Sequence, residues 1–360
     1  MPIHTVLGPI EPGELGLTSM HEHCLLDIRP IAMPSPHPYP ESAVVAPGNL
    51  GFVHWNFGSL EDNLVLDDPA LIGAELAAIR TLGGAGIVDL TVEGMGRDVR
   101  AVQDVARRSG VHIMMGAGLY VEACHPSWAR DADVASIAES LSRDLAEGLD
   151  GTGVLPALIG EIGTSDPPTR QELRAVTAAA RVGAITEAAV NVHVDGFGHH
   201  ALEIVDLMLR QGMAGDRIVL SHMDCHTNLD RRRHGELLAR GVILEFDNFG
   251  LEFYFTDAGG RLHRNCTDLS RMELLSQHLD DGFVAQLVLA CDVYTKAQLR
   301  ANGGTGYDHL LLRIVPALKG TFGVDDAEIH EMLVTTPRRL LDRPGQSAPE
   351  VHARKRGGPG

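Results

Sequence analysis

Short apolar, β-branched runs alternate along the chain with longer stretches of helical period. The runs are GLTSMHEH (16–23), GIVDLTV (86–92), HIMMGAGLYV (112–121), LPALIGEIG (155–163), AAVNVHV (188–194), RIVLSHM (217–223), VILEFD (242–247) and LVLACDV (287–293). Between them, residues 67–84, 96–110, 132–151, 169–183, 199–212 and 229–241 carry apolar residues at helical spacing and close on glycine. Near-continuous apolar strands joined by helices need cover on both faces, which predicts a parallel α/β sheet. Right-handed crossovers allow an open doubly wound sheet or a closed one, and eight runs is the number a (β/α)8 TIM barrel needs.

Two stretches break the rhythm. Residues 28–58, rich in Pro and Gly, follow the first run, and residues 248–281 follow the seventh. Loops of that length at the C-terminal face of a barrel predict lids over a site. The segment 343–360, RPGQSAPEVHARKRGGPG, predicts a disordered tail behind one barrel domain spanning 1–342.

Composition narrows the function. A formal net charge of −18 disfavours nucleic acid and anionic membrane surfaces as partners. It leaves a small-molecule substrate open, anionic ones included, because a metal pair would dominate the local field. Five cysteines with no CxxC spacing argue against a disulfide framework and for a reducing cytoplasm. The first residues lack the basic and apolar regions of a signal peptide, and no apolar stretch is long enough to span a membrane.

The chemistry sits at the ends of the runs. The first ends in His21-Glu22-His23, whose two imidazoles share one face of a strand. The fourth ends in Glu161, the fifth in His193, the sixth in His222 and the eighth in Asp292. In a parallel barrel these ends form one rim, so four histidines and two carboxylates converge there. Each alone has a bland alternative: a packed histidine, a helix-capping Asp292, an ion-paired Glu161. Together they form a borderline-soft set suited to a divalent ion such as zinc. Cys24 should point away from the two histidines, and Met114, Met115 and Cys291 are expected to fill the barrel.

These residues sit within a wider resemblance. TVLGPIEPGELGLTSMHEH (5–23), GRDV (96–99), GLDGTG (148–153), LIGEIGTSD (158–166), LEFD (244–247), CDVYTK (291–296) and TTPRRLL (335–341) resemble the phosphotriesterase-related, or resiniferatoxin-binding-like, branch of the amidohydrolase superfamily. The resemblance implies two divalent metals per chain, usually zinc, with manganese or cobalt as alternatives. It implies that His21, His23 and Asp292 hold the buried metal, His193 and His222 the exposed one, and that Glu161 bridges them. Better-known members have a carboxylated lysine at the bridge, and the glutamate here departs from them. Many relatives are dimers, so a homodimer is open to this chain.

The implied mechanism is attack by a metal-bridging hydroxide on a carboxylic ester, lactone or amide, with Asp292 as proton acceptor. A phosphotriesterase on the same centre and a non-catalytic small-molecule binder are the alternatives. Four further positions carry two readings each. Tyr120 either bonds a substrate oxygen or packs; Asp224 either relays protons or orients a ligand from behind, or else lies in solvent. Lys296 and Arg300, after the eighth strand, either bind a substrate anion or are solvated.

Overall fold

The computed structural model describes residues 2–33, 35, 43–256 and 260–342. Parts of both expected lids and the whole 343–360 tail therefore lie outside the described residues. Eight parallel strands form one sheet: β1 (Leu17–Glu22), β2 (Gly84–Asp89), β3 (His112–Ala117), β4 (Leu158–Thr164), β5 (Val190–Val194), β6 (Ile218–Ser221), β7 (Ile243–Phe246) and β8 (Leu287–Leu289), each beside its neighbours in sequence order. Between β8 and β1 the ring closes at its C-terminal end, where the Asp292 amide donates to the His21 carbonyl (3.1 Å) and the His23 amide to the Val293 carbonyl (3.2 Å). The Glu22 carboxylate seals the same seam by accepting from the amides of Cys291 (3.1 Å) and Val293 (2.9 Å) and from the Ser19 hydroxyl (2.7 Å). Burial, against the lowering effect of these donors, pushes its pKa up to about 7.

The expected helices form as α1 (Pro69–Thr81), α2 (Val99–Ser109), α3 (Val134–Glu147), α4 (Arg170–Thr186), α5 (Ala201–Arg210) and α6 (Arg231–Leu238). Side chains cap the first turns: Asp68, Asp98, Asp133 and Asp230 accept from amides there, and Thr169 pairs with Glu172 in a capping box. A further helix, α7 (Asp268–Asp280), takes up the end of the expected 248–281 lid. Its buried face includes Arg271 and His278 beside Met272 and Leu275, so charged residues interrupt the apolar stripe that would have marked it. No helix among the described residues is long and apolar enough to cross a membrane.

Alternation along the strands sorts the core into two clusters. Val88, Met114, Leu158, Ala189, Val219, Ile243 and Val288 fill the lumen. Their neighbours Ile87, Met115, Val190, Leu220, Leu244 and Leu289 pack outward with the helices. Met114 thus fills the barrel as expected, whereas Met115 and Cys291 belong to the outer layer because they fall on the opposite parity. The inward positions become more polar toward the C-terminal rim. From Ala189, just before β5, they run through Asn191 to His193; the seventh and eighth strands lead through Ile243 and Glu245 to Asp247, and through Val288 and Ala290 to Asp292.

Candidate metal centre

The rim gathers the six side chains expected from the strand ends. His21 Nε2 lies 3.6 Å from Glu161 Oε1 and 3.7 Å from Asp292 Oδ1, and His23 Nε2 lies 3.3 Å from Asp292 Oδ1. On the other side of Glu161, the same Oε1 is 3.2 Å from His193 Nδ1 and 3.6 Å from His222 Nε2. Potential ligand atoms of His21, His23 and Glu161 lie within 4.8 Å of one another, as do those of Glu161, His193 and His222, and those of His21, His222 and Asp292. Glu161 therefore belongs to two of these sets.

Backbone geometry places these groups. His222 and Asp292 adopt left-handed φ angles of 60° and 48°. Such conformations cost a non-glycine residue on the order of 1–3 kcal/mol and persist only where their surroundings fix them. At β4, a Cβ on Gly116 would stand 1.9 Å from the Gly160 carbonyl oxygen, so glycine at 116 lets β3 and β4 approach where Glu161 begins. The Tyr307 hydroxyl donates to the His23 carbonyl at 2.6 Å and anchors the end of β1.

Groups behind the ligands fix their orientation. His21 Nδ1 faces Glu245 Oε2 at 3.2 Å and Asp247 Oδ2 at 3.1 Å. His222 Nδ1 faces Asp247 Oδ1 at 3.0 Å, and His23 Nδ1 faces Thr91 Oγ1 at 3.0 Å. A carboxylate can only accept, so His21 and His222 donate from Nδ1 and present Nε2 inward, the atom through which each would bind a cation. Glu245 also accepts from Asn191 Nδ2 (2.7 Å) and the Ser221 hydroxyl (3.0 Å), a polar layer just below the centre. Glu245 and Asp247 are site residues that the sequence reading did not single out, although Asp247 ends the seventh run as the other ligands end theirs.

The electrostatics call for a cation. Glu161, Glu245, Asp247 and Asp292 are all buried, and among the described residues no Lys or Arg forms an ion pair with any of them. Buried charges without partners cost several kcal/mol each. His21 Nε2 and Asp292 Oδ1 are buried with no hydrogen-bond partner, and His222 Nε2 and His193 Nδ1 face each other at 2.7 Å. Burial opposes charge on His21 and His222, yet the carboxylates facing them, Asp292 foremost for His21 and Asp247 for His222, raise both pKa values well above the usual range. Burial would likewise raise Glu161, but His21 and the other imidazoles hold it well below the usual carboxylate range. The donor types, the orphaned atoms and the unbalanced carboxylates fit a pair of divalent ions.

The four remaining positions divide. The Tyr120 hydroxyl lies 3.4 Å from His193 Nδ1 and lines the cavity above the cluster. Asp224 is neither in the cavity nor in solvent. It is buried, with Oδ2 3.4 Å from Arg271 Nε and accepting from the Asn248 amide at 3.0 Å. Lys296 and Arg300 do not line the cavity either: Lys296 Nζ sits 2.7 Å from Asp62 and 3.4 Å from Asp67, and Arg300 Nη1 sits 2.6 Å from Asp308. Cys24 is buried in the outer layer, away from the cavity. Both long loops contribute to the cavity, 28–58 through Ile28, Ile31 and Phe57, and 248–281 through Asn248, Phe253 and Phe255.

The phosphotriesterase family model matches residues 1–341. A protein of Salmo salar named N-acetyltaurine hydrolase is 32% identical over 343 residues, covering 94% of this chain and 97% of its own. A crystal structure described as a resiniferatoxin-binding protein from Rhodobacter sphaeroides is 32% identical with a TM-score of 0.90, covering 95% of each chain. The phosphotriesterase homology protein of Escherichia coli, solved with phosphate in its active site, is 25% identical with a TM-score of 0.75, covering 92% of this chain and 100% of its own.

Proposed function

The chain belongs to the phosphotriesterase family, and from that premise we propose that it is a binuclear-metal hydrolase of carboxylic amides or esters, lactones included. One observation carries this proposal: inward-facing atoms of His21, His23, Glu161, His193, His222 and Asp292 crowd one buried space that holds more negative charge than its surroundings balance. His21, His23 and Asp292 would hold the inner cation, His193 and His222 the outer one, with Glu161 between them. Zinc is the ion proposed; manganese and cobalt suit the same donors. When bound, the pair supplies a nucleophile from water at neutral pH and polarises the scissile carbonyl.

The chain's own groups do the rest. Asp292 takes up the proton released during attack and returns it to the departing nitrogen or oxygen. Tyr120 keeps its hydroxyl proton, since burial, followed by the charge of Glu161, raises its pKa well above the usual value. Beside His193 it is placed to donate to the substrate's oxygen. The amide-hydrolase name of relatives above 30% identity favours carboxylic over phosphoric substrates.

The test is turnover on N-acyl amides, aryl esters, lactones and an aryl phosphotriester, before and after chelation and zinc reconstitution. Carboxylic substrates should be cleaved fastest, activity should vanish with the metal and return with it, and Asp292→Asn should abolish it while leaving the circular dichroism spectrum unchanged. Activity that survives complete metal removal, or is fastest on the phosphotriester, would overturn the proposal.

A further inference from the structure

Above the ligand cluster the cavity, about 300 Å³ in volume, has an aromatic wall. Phe57 stacks on Phe253 with ring centres 3.8 Å apart and meets Tyr294 edge-on at 5.8 Å, while Phe197 meets Phe255 edge-on at 4.9 Å. The charged carboxylates lining the cavity are Glu161, Asp195 and Asp292, and no Lys or Arg among the described residues lines it. Residues 34–42 and 257–259 contain neither Lys nor Arg, and Arg343, Arg354, Lys355 and Arg356 lie outside the described residues. The two cations that follow the eighth strand, Lys296 and Arg300, are engaged by Asp62 and Asp308 outside the cavity.

Held against this wall, away from the ligand cluster, a sulfonate, carboxylate or phosphate on the substrate would lose water against ring faces whose quadrupoles repel anions, with no guanidinium or ammonium of the described residues to replace it. An aliphatic or aromatic group would gain from the same surface. Accepting the hydrolase proposal above, we propose that the substrate is an uncharged amide or ester whose apolar group lodges against Phe57, Phe253, Tyr294, Phe197 and Phe255. N-acetyltaurine, for which the relatives are named, carries a permanent sulfonate and is the wrong chemical class for this wall.

A matched pair of compounds tests this on the full, zinc-loaded chain. N-acetyltaurine and N-(3,3-dimethylbutyl)acetamide have nearly the same shape and differ chiefly in replacing the sulfonate by a tert-butyl group. The neutral amide should have a kcat/KM at least about tenfold higher, and Phe253→Arg should shift that ratio toward N-acetyltaurine by a similar factor. N-acetyltaurine cleaved equally well or better by the wild type, or a ratio unmoved by Phe253→Arg, would overturn the assignment. Calorimetric titration of the same two compounds separates this inference from the hydrolase proposal. If neither is cleaved but the neutral amide binds more tightly, the substrate class stands and hydrolysis falls. Tighter binding of N-acetyltaurine, or no binding of either, overturns the class itself.

Discussion

Asp247 grips His222 at two points: its Oδ1 lies 3.0 Å from the ring Nδ1, and its two oxygens accept from the His222 backbone amide at 3.1 and 3.0 Å. That double hold keeps His222 in its left-handed conformation. The other carboxylate oxygen reaches His21 Nδ1 at 3.1 Å, so a single residue orients one histidine in each half of the centre. Burial alone would raise the Asp247 carboxyl, but the His222 charge and hydrogen bonds from both imidazoles hold it well below the usual range. Asp247→Asn should therefore loosen both halves. Metal content should fall below two per chain and turnover by about 10–100-fold, as for other residues that orient metal ligands. Full metal content by plasma mass spectrometry together with unchanged kcat would contradict this.

Glu161 is the carboxylate shared by both ligand sets. Glu161→Ala should leave fewer than two metals per chain after loading and dialysis. Unchanged stoichiometry would exclude a bridging role.

Part of this centre was legible because an inward residue at the end of an apolar run has nowhere to go but the rim, as with His193 and Asp292. Parity does not carry His21, Glu161 and His222 inward: register shifts between Ser19 and Glu22 and between Ile159 and Ile162, and the left-handed turn at His222, do so. Asp247 offered the same signal as the last residue of VILEFD, and Glu245 precedes it by one inward step, yet neither was given a role from the sequence. Partners far apart in the chain left no such trace. Nothing near Lys296 points to Asp62, nothing in the pattern of 268–280 shows that Arg271 is buried, and the parity that sends Met114 inward sends Met115 out.

Asp224, close to the site, is expected to serve the fold through Arg271 and the Asn248 amide. Its carboxyl, pushed up to about 7 by burial against the lowering effect of Arg271, sits within a fully buried ion pair. Without Asp224, Arg271 keeps Asp268 at 3.0 Å, but its Nε side and the Asn248 amide lose their carboxylate acceptor, at a cost of about 1–3 kcal/mol. Asp224→Ala should lower stability by that order in urea titration, with kcat of the folded protein changed only a few-fold. Wild-type stability with a large loss of kcat would reverse the assignment.

His234 and His278 form a buried pair, ring nitrogens 2.8 Å apart, with His234 Nε2 donating to the Met223 carbonyl at 2.9 Å. The carbonyl fixes neutral His234 as an Nδ1 acceptor, so His278 Nε2 donates to it. Burial lowers the two pKa values to about 3 and about 4, respectively. Unfolded histidines protonate from about 6.5 downward. Stability present above that pH is thus lost as pH falls toward the folded values, by up to about 1.4 kcal/mol per unit for each ring. His278→Gln keeps a donor without a titrating ring and should flatten the acid limb of the stability profile. A profile as steep as that of the wild type would refute this.

The central claim is that two cations occupy the rim cluster, and an anomalous-scattering map at the zinc edge from zinc-loaded crystals tests it directly. Two peaks are expected, one among His21 Nε2, His23 Nε2, Asp292 and Glu161, the other among Glu161, His193 Nδ1 and His222 Nε2. A fully loaded protein with no peak between these side chains, or with zinc only at other positions, would contradict the account.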